Sequence, residues 1–135
     1  MTLFVDTAVF MYAAGSEHPF REGCRDVLRK AQDGSLQAVT SAEVIQEILH
    51  RFTGTPRHND GVLLARSTLS LFRPVLSVDH HVMTRSCELA ERHPTARARD
   101  LVHVATCLLH DLTAIISPDR DFDRIAEVRR IDPTG

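Results

Sequence analysis

The sequence has almost no lysine and very little net charge. Lys30 is the only lysine among the 16 lysine and arginine residues, and the formal net charge is −2. This charge balance excludes the strongly basic domains that bind nucleic acid mainly through their overall charge. The preference for arginine suits phosphate groups and stacked bases, which a planar guanidinium binds better than an ammonium does, although genome base composition explains it equally well.

The sequence also lacks paired cysteines and long apolar runs. Cys24, Cys87 and Cys107 are widely spaced without a CxxC motif, which favours reduced core thiols in a cytoplasmic protein over a disulfide framework or a zinc site. Asp6 interrupts the apolar run at the N-terminus, so we expect neither a secretory signal nor a membrane span. No repeat is present, and we expect residues 1–135 to form a single domain.

Short apolar runs alternate with segments of helical periodicity. The predicted strands cover residues 3–5, 36–39, 74–78, 114–117 and 128–131. The predicted helices cover residues 7–14, about 19–33, from the Thr40 or Ser41 cap to Phe52, 61–72, 79–92, 98–111 and 120–127. This alternation predicts an α/β fold, a three-layer sandwich with a central parallel sheet between helices. The order of the strands is not readable from the sequence.

The predicted helix over 61–72 is apolar on nearly all sides. Leu63, Leu64, Leu69 and Phe72 do not share one face. A single sheet face cannot cover all of these side chains, so we expect a partner chain to pack against this helix.

Acidic side chains follow two of the predicted strands and lie on two of the helices. Asp6 follows the first strand, Asp119 and Asp121 follow the fourth, and Asp100 and Glu47 are helical. The carboxyl ends of parallel strands share one edge of the sheet, where ligands bind in open α/β folds, so all five acids can face one site. Each acid also has a simpler explanation, because acids are favoured in the first turn of a helix and on solvated helix faces.

The helix after the second strand carries two candidate glutamates. Glu43 and Glu47 lie one turn apart, so their spacing does not choose between them. Glu47 borders the apolar stripe, beside Val44, that must face the sheet. Glu43 lies near the N-terminal cap residue Ser41, where an acid compensates the helix dipole. We therefore predict that Glu47 belongs to the site and that Glu43 has a supporting role.

Clustered carboxylates imply a cation. Carboxylates within a few ångströms of one another repel unless a positive charge lies between them. Oxygen ligands without clustered cysteine or histidine suit Mg²⁺ or Mn²⁺. Such an ion in an open carboxylate site activates water and stabilises the charge that develops in an in-line displacement at phosphorus. The leading chemistry is therefore phosphodiester hydrolysis.

Four segments resemble, in their order and spacing, the motifs of PIN-domain ribonucleases, and among these the VapC toxins of bacterial toxin–antitoxin modules. These segments are 3–9, 40–49, 99–105 and 117–123, and the likeness extends to 131–133. The resemblance implies a PIN-like fold and a Mg²⁺- or Mn²⁺-dependent endoribonuclease toxin that hydrolyses structured RNA, often tRNA. It also implies a VapB-like antitoxin that holds the enzyme inactive. The covering partner of the 61–72 helix would then be an antitoxin segment or a second copy, and we expect a homodimer.

The resemblance assigns roles position by position. Asp6, Glu47, Asp100 and Asp119 match the family's catalytic and metal-binding acids, and Asp121 matches the frequent fifth acid.

Two further positions bear on this assignment. Ser117 matches the small hydroxyl residue that precedes the last acids. Ala8 departs from the family, which usually has asparagine two residues after the first aspartate. Because an asparagine there can hold a neighbouring carboxylate, we expect weaker metal affinity or altered geometry in this chain.

None of the eight histidines is assigned a role. His103 lies one helical turn after Asp100 and could approach the site, but a structural or surface histidine is the simpler interpretation.

Two rival functions remain open. A phosphotransfer domain of the receiver or haloacid-dehalogenase type also binds Mg²⁺ through aspartates at strand ends. It needs a lysine near the phosphoryl group, however, and Lys30 falls in the second predicted helix. A PIN-like scaffold that binds RNA or protein without catalysis is favoured only by Ala8. Retention of all the acids argues against it, because without a cation their repulsion is a pure cost.

Overall fold

The computed structural model describes all 135 residues and contains a four-stranded, wholly parallel sheet. The strands are β1 (Leu3–Val5), β2 (Ala38–Val39), β3 (Ala114–Ile116) and β4 (Arg129–Ile131). Their order across the sheet is β2-β1-β3-β4. The predicted α/β class is confirmed, and the structure adds the strand order.

Six α-helices and one 3₁₀ helix connect the strands. The α-helices are α1 (Thr7–Ala14), α2 (Arg21–Asp33), α3 (Ala42–Phe52), α4 (His58–Leu71), α5 (His80–Arg92) and α6 (Ala98–Leu109). The 3₁₀ helix covers Arg120–Arg124 and is shorter than the helix predicted there, because Ile125 leaves the helix to become a buried core residue. No helix combines the length and the apolar character that crossing a bilayer requires.

The predicted strand over 74–78 is wrong. Leu76 makes a single parallel bridge with Ser41, through backbone hydrogen bonds with Thr40 and Ala42 on either side. The pairing cannot extend because Ala42 already begins α3, so the partner backbone turns away from the extended conformation after one residue.

The core lies around β1, β3 and the inner length of α6. All three residues of β3 are buried, as the short uninterrupted apolar run predicts for a strand covered on both faces. In α6, every residue from Asp100 to Cys107 is buried. The interpretation of the cysteines as core thiols holds for Cys24 and Cys107 but is wrong for Cys87, which is exposed on α5.

The strand order places a ligand crevice between β1 and β3. From β1 the chain crosses to β2 on one side, whereas β3 and β4 lie on the other side. Crevices at such a reversal open at the carboxyl ends of the two central strands. Asp6 directly follows β1, and its backbone N–H donates to Ile116 O at 3.1 Å, while Ser117 directly follows β3. The fold therefore brings the residues after both strands to the same edge.

Helix α4 packs on α3 through small residues. Gly61, Ala65 and Thr68 are buried, whereas Leu63 is 66% exposed and Leu69 is 42% exposed. Leu63 and Leu69 are left without cover from this chain, at two different positions around α4. That a partner chain covers them stays a prediction.

The close approach of these helices makes Gly61→Ala destabilising. A methyl group at Gly61 would overlap the side chain of Phe52 on α3. The gain in helix propensity from glycine to alanine is about 1 kcal/mol. Overpacking costs about 1 to 3 kcal/mol, and here it is at the upper end because backbone-linked atoms collide. We expect urea denaturation to show a net loss of about 1 to 2 kcal/mol in the free energy of unfolding.

The matched control is Ser67→Ala, an exposed position on the same helix. That substitution is expected to change the free energy of unfolding by less than about 0.5 kcal/mol. A Gly61→Ala variant as stable as the wild type would show that α3 and α4 can separate without cost.

Candidate active site

A groove of about 920 Å³ opens where the strand order predicts a crevice. Four of the predicted acids line it, namely Asp6, Glu47, Asp100 and Asp119. The remaining titratable lining is mainly basic and contains no lysine. It consists of Arg51, Arg97, Arg99, Arg120, His18 and His50, with Glu17 as a further acid. The groove therefore combines a carboxylate cluster with guanidinium groups.

Asp6 lines the groove and does not cap α1. It precedes α1, yet its side chain makes no capping hydrogen bond. Its Oδ2 instead accepts a hydrogen bond from Ser117 Oγ at 2.7 Å, and the same Oγ accepts from the backbone N–H of Asp119 at 3.0 Å. Asp6 is only 4% exposed, and burial raises the pKa of its carboxyl above the ordinary value. Ser117 thus fixes the positions of two acids from different strands.

His103 lies between two acids and is fully buried. Its Nε2 lies 2.6 Å from Glu47 Oε1, 3.6 Å from Asp6 Oδ1 and 3.4 Å from Thr7 Oγ1. Burial lowers the pKa of His103, but the contact with Glu47 and the negative charge of Asp6 outweigh it and raise the pKa above its ordinary value. The two acids therefore favour the protonated form of His103 more than water does, and the imidazole lies between Asp6, which follows β1, and Glu47 of α3.

His103 is a site residue that the sequence interpretation missed. Its position three residues after Asp100 on a helix was a visible signal, but the same spacing fits a structural histidine. Its partners Asp6 and Glu47 lie far away in the sequence. Only the fold shows that the imidazole meets two carboxylates.

Arg97 holds the other three acids together. Its Nη2 lies 2.7 Å from Asp121 Oδ2 and 3.1 Å from Asp119 Oδ2, and its Nε lies 3.5 Å from Asp100 Oδ2. One oxygen of each of these carboxylates lies within 4.8 Å of the others. Burial raises the pKa of Asp100 to about 6, against the opposing charge of Arg97. The sequence interpretation did not single out Arg97.

Asp119 serves two roles at once. Its Oδ1 accepts a hydrogen bond from the backbone N–H of Asp121 at 2.9 Å, which caps the 3₁₀ helix. Its Oδ2 accepts a hydrogen bond from Arg97 Nη2 at 3.1 Å. Asp119 is therefore the N-cap residue of the 3₁₀ helix rather than an acid in its first turn, and this role does not exclude a place in the site.

The structure separates the two glutamates of α3. Glu47 lines the groove and its side chain is 15% exposed, whereas Glu43 does not line the groove. Glu43 is partly buried, and burial together with the charge of Glu47 raises the pKa of its carboxyl. Glu47 is therefore the glutamate that meets the other acids, through His103.

The donor set fits a hard divalent cation. The acids form two groups, Asp6 with Glu47 around His103, and Asp100 with Asp119 and Asp121 around Arg97. All potential ligand atoms in the second group are carboxylate oxygens, which Mg²⁺ and Mn²⁺ prefer. Arg97 already brings a positive charge to the second group, which indicates that this place is favourable for a cation.

The raised pKa of Asp100 predicts a pH effect on the metal-free protein. The folded-state pKa of about 6 lies above the ordinary value of 3.8, so the folded state binds this proton more tightly than the unfolded chain does. Stability then falls as the pH rises between these two values. We therefore expect the Tm of the wild type, measured in EDTA, to fall relative to the Tm of Asp100→Asn as the pH rises through this window.

Above a pH of about 7 the difference in Tm between the two proteins should be constant, because Asp100 is then ionised in both the folded and the unfolded states. Comparing the two proteins at each pH removes the contributions of the other titrating groups. A difference that stays flat, or that favours the wild type more as the pH rises, would contradict the raised pKa.

Known proteins share both the sequence pattern and the fold. The model of the PIN domain family matches residues 3–128. Ribonuclease VapC23 of Mycobacterium tuberculosis is 37% identical over 115 residues, which cover 84% of this chain and 89% of that protein. Ribonuclease VapC13 of the same species is 30% identical over 129 residues, which cover 96% of this chain and 98% of that protein.

Solved structures of toxin–antitoxin proteins have the same fold. VapBC2 from Rickettsia felis, bound to a DNA fragment from its promoter, aligns with a TM-score of 0.76 at 15% identity and covers 97% of this chain and 98% of that one. FitAcB from Neisseria gonorrhoeae aligns with a TM-score of 0.74 at 21% identity and covers 98% of each chain. With the family model spanning nearly the whole sequence and VapC relatives at 30% identity or more, the chain belongs to the PIN domain family, in its VapC group.

Proposed function

We propose that this protein is the toxin of a toxin–antitoxin pair and acts as a Mg²⁺- or Mn²⁺-dependent endoribonuclease. The observation that carries this proposal is the groove, in which a buried carboxylate cluster lies among four arginines. The names of the relatives support it, since VapC13 and VapC23 are ribonucleases. Structured RNA, such as tRNA, is the proposed substrate.

The metal-binding residues are proposed to be Asp6, Glu47, Asp100, Asp119 and Asp121. When bound, the divalent ion supplies a water of lowered pKa and neutralises charge on the reacting phosphate. Neighbouring side chains orient two of the acids that bind the ion. Ser117 donates to Asp6 at 2.7 Å, and His103 lies 2.6 Å from Glu47.

The cationic lining of the groove binds the RNA backbone. Guanidinium groups pair with phosphate oxygens in a bidentate manner, and the groove provides four of them. Arg51 and Arg99 lie on the side of α3 and α6, and Arg120 lies on the side of the 3₁₀ helix. RNA that lies along the groove thus has its phosphates between these residues and the carboxylates.

The lysine that a phosphotransfer domain would need is absent from this groove. Lys30 is exposed near the end of α2 and does not line it. A non-catalytic scaffold would leave the buried acids Asp6 and Asp100 without a purpose, although burial raises the pKa of both. Hydrolysis of RNA uses both the buried acids and the arginines of the groove.

The proposed partner is a VapB-like antitoxin. Solved structures with this fold include VapBC complexes and a toxin–antitoxin complex from Klebsiella pneumoniae. The exposed Leu63 and Leu69 of α4 offer an apolar surface to such a segment or to a second copy in a homodimer.

The test of this function is RNA cleavage by the purified protein. Total RNA is incubated with the protein in Mn²⁺, in Mg²⁺ and in EDTA, and the new 5′ ends are mapped. We expect discrete new ends in the presence of either metal and none in EDTA. An Asp119→Asn variant prepared in parallel controls for contaminating nucleases. Ends that persist in EDTA or in the variant would contradict the proposal.

A further inference from the structure

Arg97 occupies the position in the carboxylate cluster where a cation is most strongly attracted. Three acids surround its guanidinium at 2.7, 3.1 and 3.5 Å. The acceptor oxygens belong to Asp121, Asp119 and Asp100, which are the acids whose oxygens lie within 4.8 Å of one another. A guanidinium and a divalent ion cannot both lie at the centre of so small a cluster.

The side chain of Arg97 can move away from the three acids. It is 48% exposed, and Arg97 itself is the residue before α6, so that no helical backbone restricts it on one side. The contacts of its guanidinium are all with the three acids. A second cavity of about 190 Å³ adjoins the groove at Arg97, and its other lining includes Arg92, Thr95 and Arg124. The guanidinium therefore has open space on two sides.

We infer that Arg97 is a resident counter-cation, which a divalent metal must displace from Asp100, Asp119 and Asp121 before the site is loaded. In the metal-free protein it relieves the repulsion among these acids. After displacement it remains on the wall of the groove, where it contacts the RNA backbone. Arg97 thus lowers metal affinity and raises RNA affinity. Both halves of this inference rest on the proposed function, the first on its metal site and the second on its RNA substrate.

The first test is a Mn²⁺ titration by calorimetry in the absence of RNA. Loss of the competing charge is expected to make Arg97→Ala bind Mn²⁺ roughly tenfold more tightly than the wild type. Arg97→Gln keeps a donor of similar length without the charge and should bind more tightly as well. The matched control is Arg92→Ala, which removes an arginine from the second cavity that pairs with Glu127 at 3.5 Å instead of with the site acids.

The two possible roles of Arg97 predict opposite changes in Mn²⁺ affinity when the arginine is removed. If Arg97 were a structural tether that organises the acids, its loss would let them separate, and Mn²⁺ would bind more weakly. Equal or weaker binding by both neutral variants therefore overturns the inference. Tighter binding by both variants, with Arg92→Ala unchanged, supports it.

A second readout concerns RNA. At saturating Mn²⁺ we expect Arg97→Ala to raise the KM for RNA at least fivefold, as the loss of one phosphate contact at about 1 kcal/mol implies. An unchanged KM would overturn the RNA half of the inference. A protein that shows the predicted order of Mn²⁺ affinities but cleaves no RNA would retain the first half and overturn the proposed ribonuclease activity, so the two failures are distinguishable.

Discussion

Glu47→Gln is expected to reduce RNA cleavage by roughly 100-fold or more while leaving the fold intact. Glu47 lines the groove and lies 2.6 Å from His103, so its carboxylate is part of the acidic site. Glutamine has nearly the same shape but offers a neutral oxygen, which binds a divalent cation weakly. The measurement is the single-turnover cleavage rate in Mn²⁺, together with far-UV circular dichroism to verify the fold.

Glu43→Gln is the matched control for that loss. Glu43 lies one turn earlier on α3, carries the same charge and does not line the groove. Its removal should change the cleavage rate less than about threefold and, because the pKa of Glu43 is raised in the fold, change the free energy of unfolding by less than about 0.5 kcal/mol. An inactive variant at 43 with an active one at 47 would show that α3 presents the other glutamate to the metal.

His103→Ala is expected to have the largest effect on stability in the metal-free protein. The substitution removes the imidazole between Glu47 and Asp6 and leaves two carboxylates without their partner. Breaking a buried ion pair by removing one member costs about 3 to 5 kcal/mol. Urea denaturation in EDTA measures this loss. His110→Ala, at an exposed position just after α6, is the control and should change little.

A double-mutant cycle isolates the contact between His103 and Glu47. If the imidazolium and the carboxylate stabilise each other, Glu47→Gln should reduce the cost of His103→Ala by about 1 to 3 kcal/mol. Additive effects of the two substitutions would show that His103 acts only by filling space. In that case its contact with Glu47 would be incidental.

Much of the site could be predicted because its acids follow local patterns. The run of Ala114 to Ile116 is too short for a helix and ends at Ser117 and Pro118, which identifies a buried strand and places Asp119 at its carboxyl end. Asp6 follows β1 in the same way. Parallel strands then bring both acids to one edge of the sheet, without any knowledge of the strand order.

The features that were missed depend on distant parts of the chain. Asp119 and Asp121 lie 22 and 24 residues after Arg97, so nothing near Arg97 in the sequence shows that it will bridge them. The strand predicted over 74–78 failed for a related reason. Its apolar pattern suits a strand, but the backbone beside it has already entered α3 and cannot continue the pairing.

The environment of the acids in the groove differs from that of acids that only cap a helix. Asp119 caps the 3₁₀ helix through Oδ1 and faces Arg97 through Oδ2. Asp6 makes no cap, and burial raises its pKa. An acid that a helix needs only as a cap stays exposed, whereas Asp6 and Asp100 are buried and Asp119 is partly buried beside them. Burial of like charges is unfavourable unless a cation compensates them.

The most direct test of the metal-dependent site is an anomalous difference map from crystals of the protein grown or soaked in Mn²⁺. A metal centre built from these acids predicts a peak within about 2.4 Å of carboxylate oxygens from at least two of Asp6, Asp100 and Asp119. It also predicts that the Arg97 guanidinium has left its place among Asp100, Asp119 and Asp121. A map at saturating Mn²⁺ with no peak in the groove, and with Arg97 still bound to the three acids, would contradict a metal-dependent site.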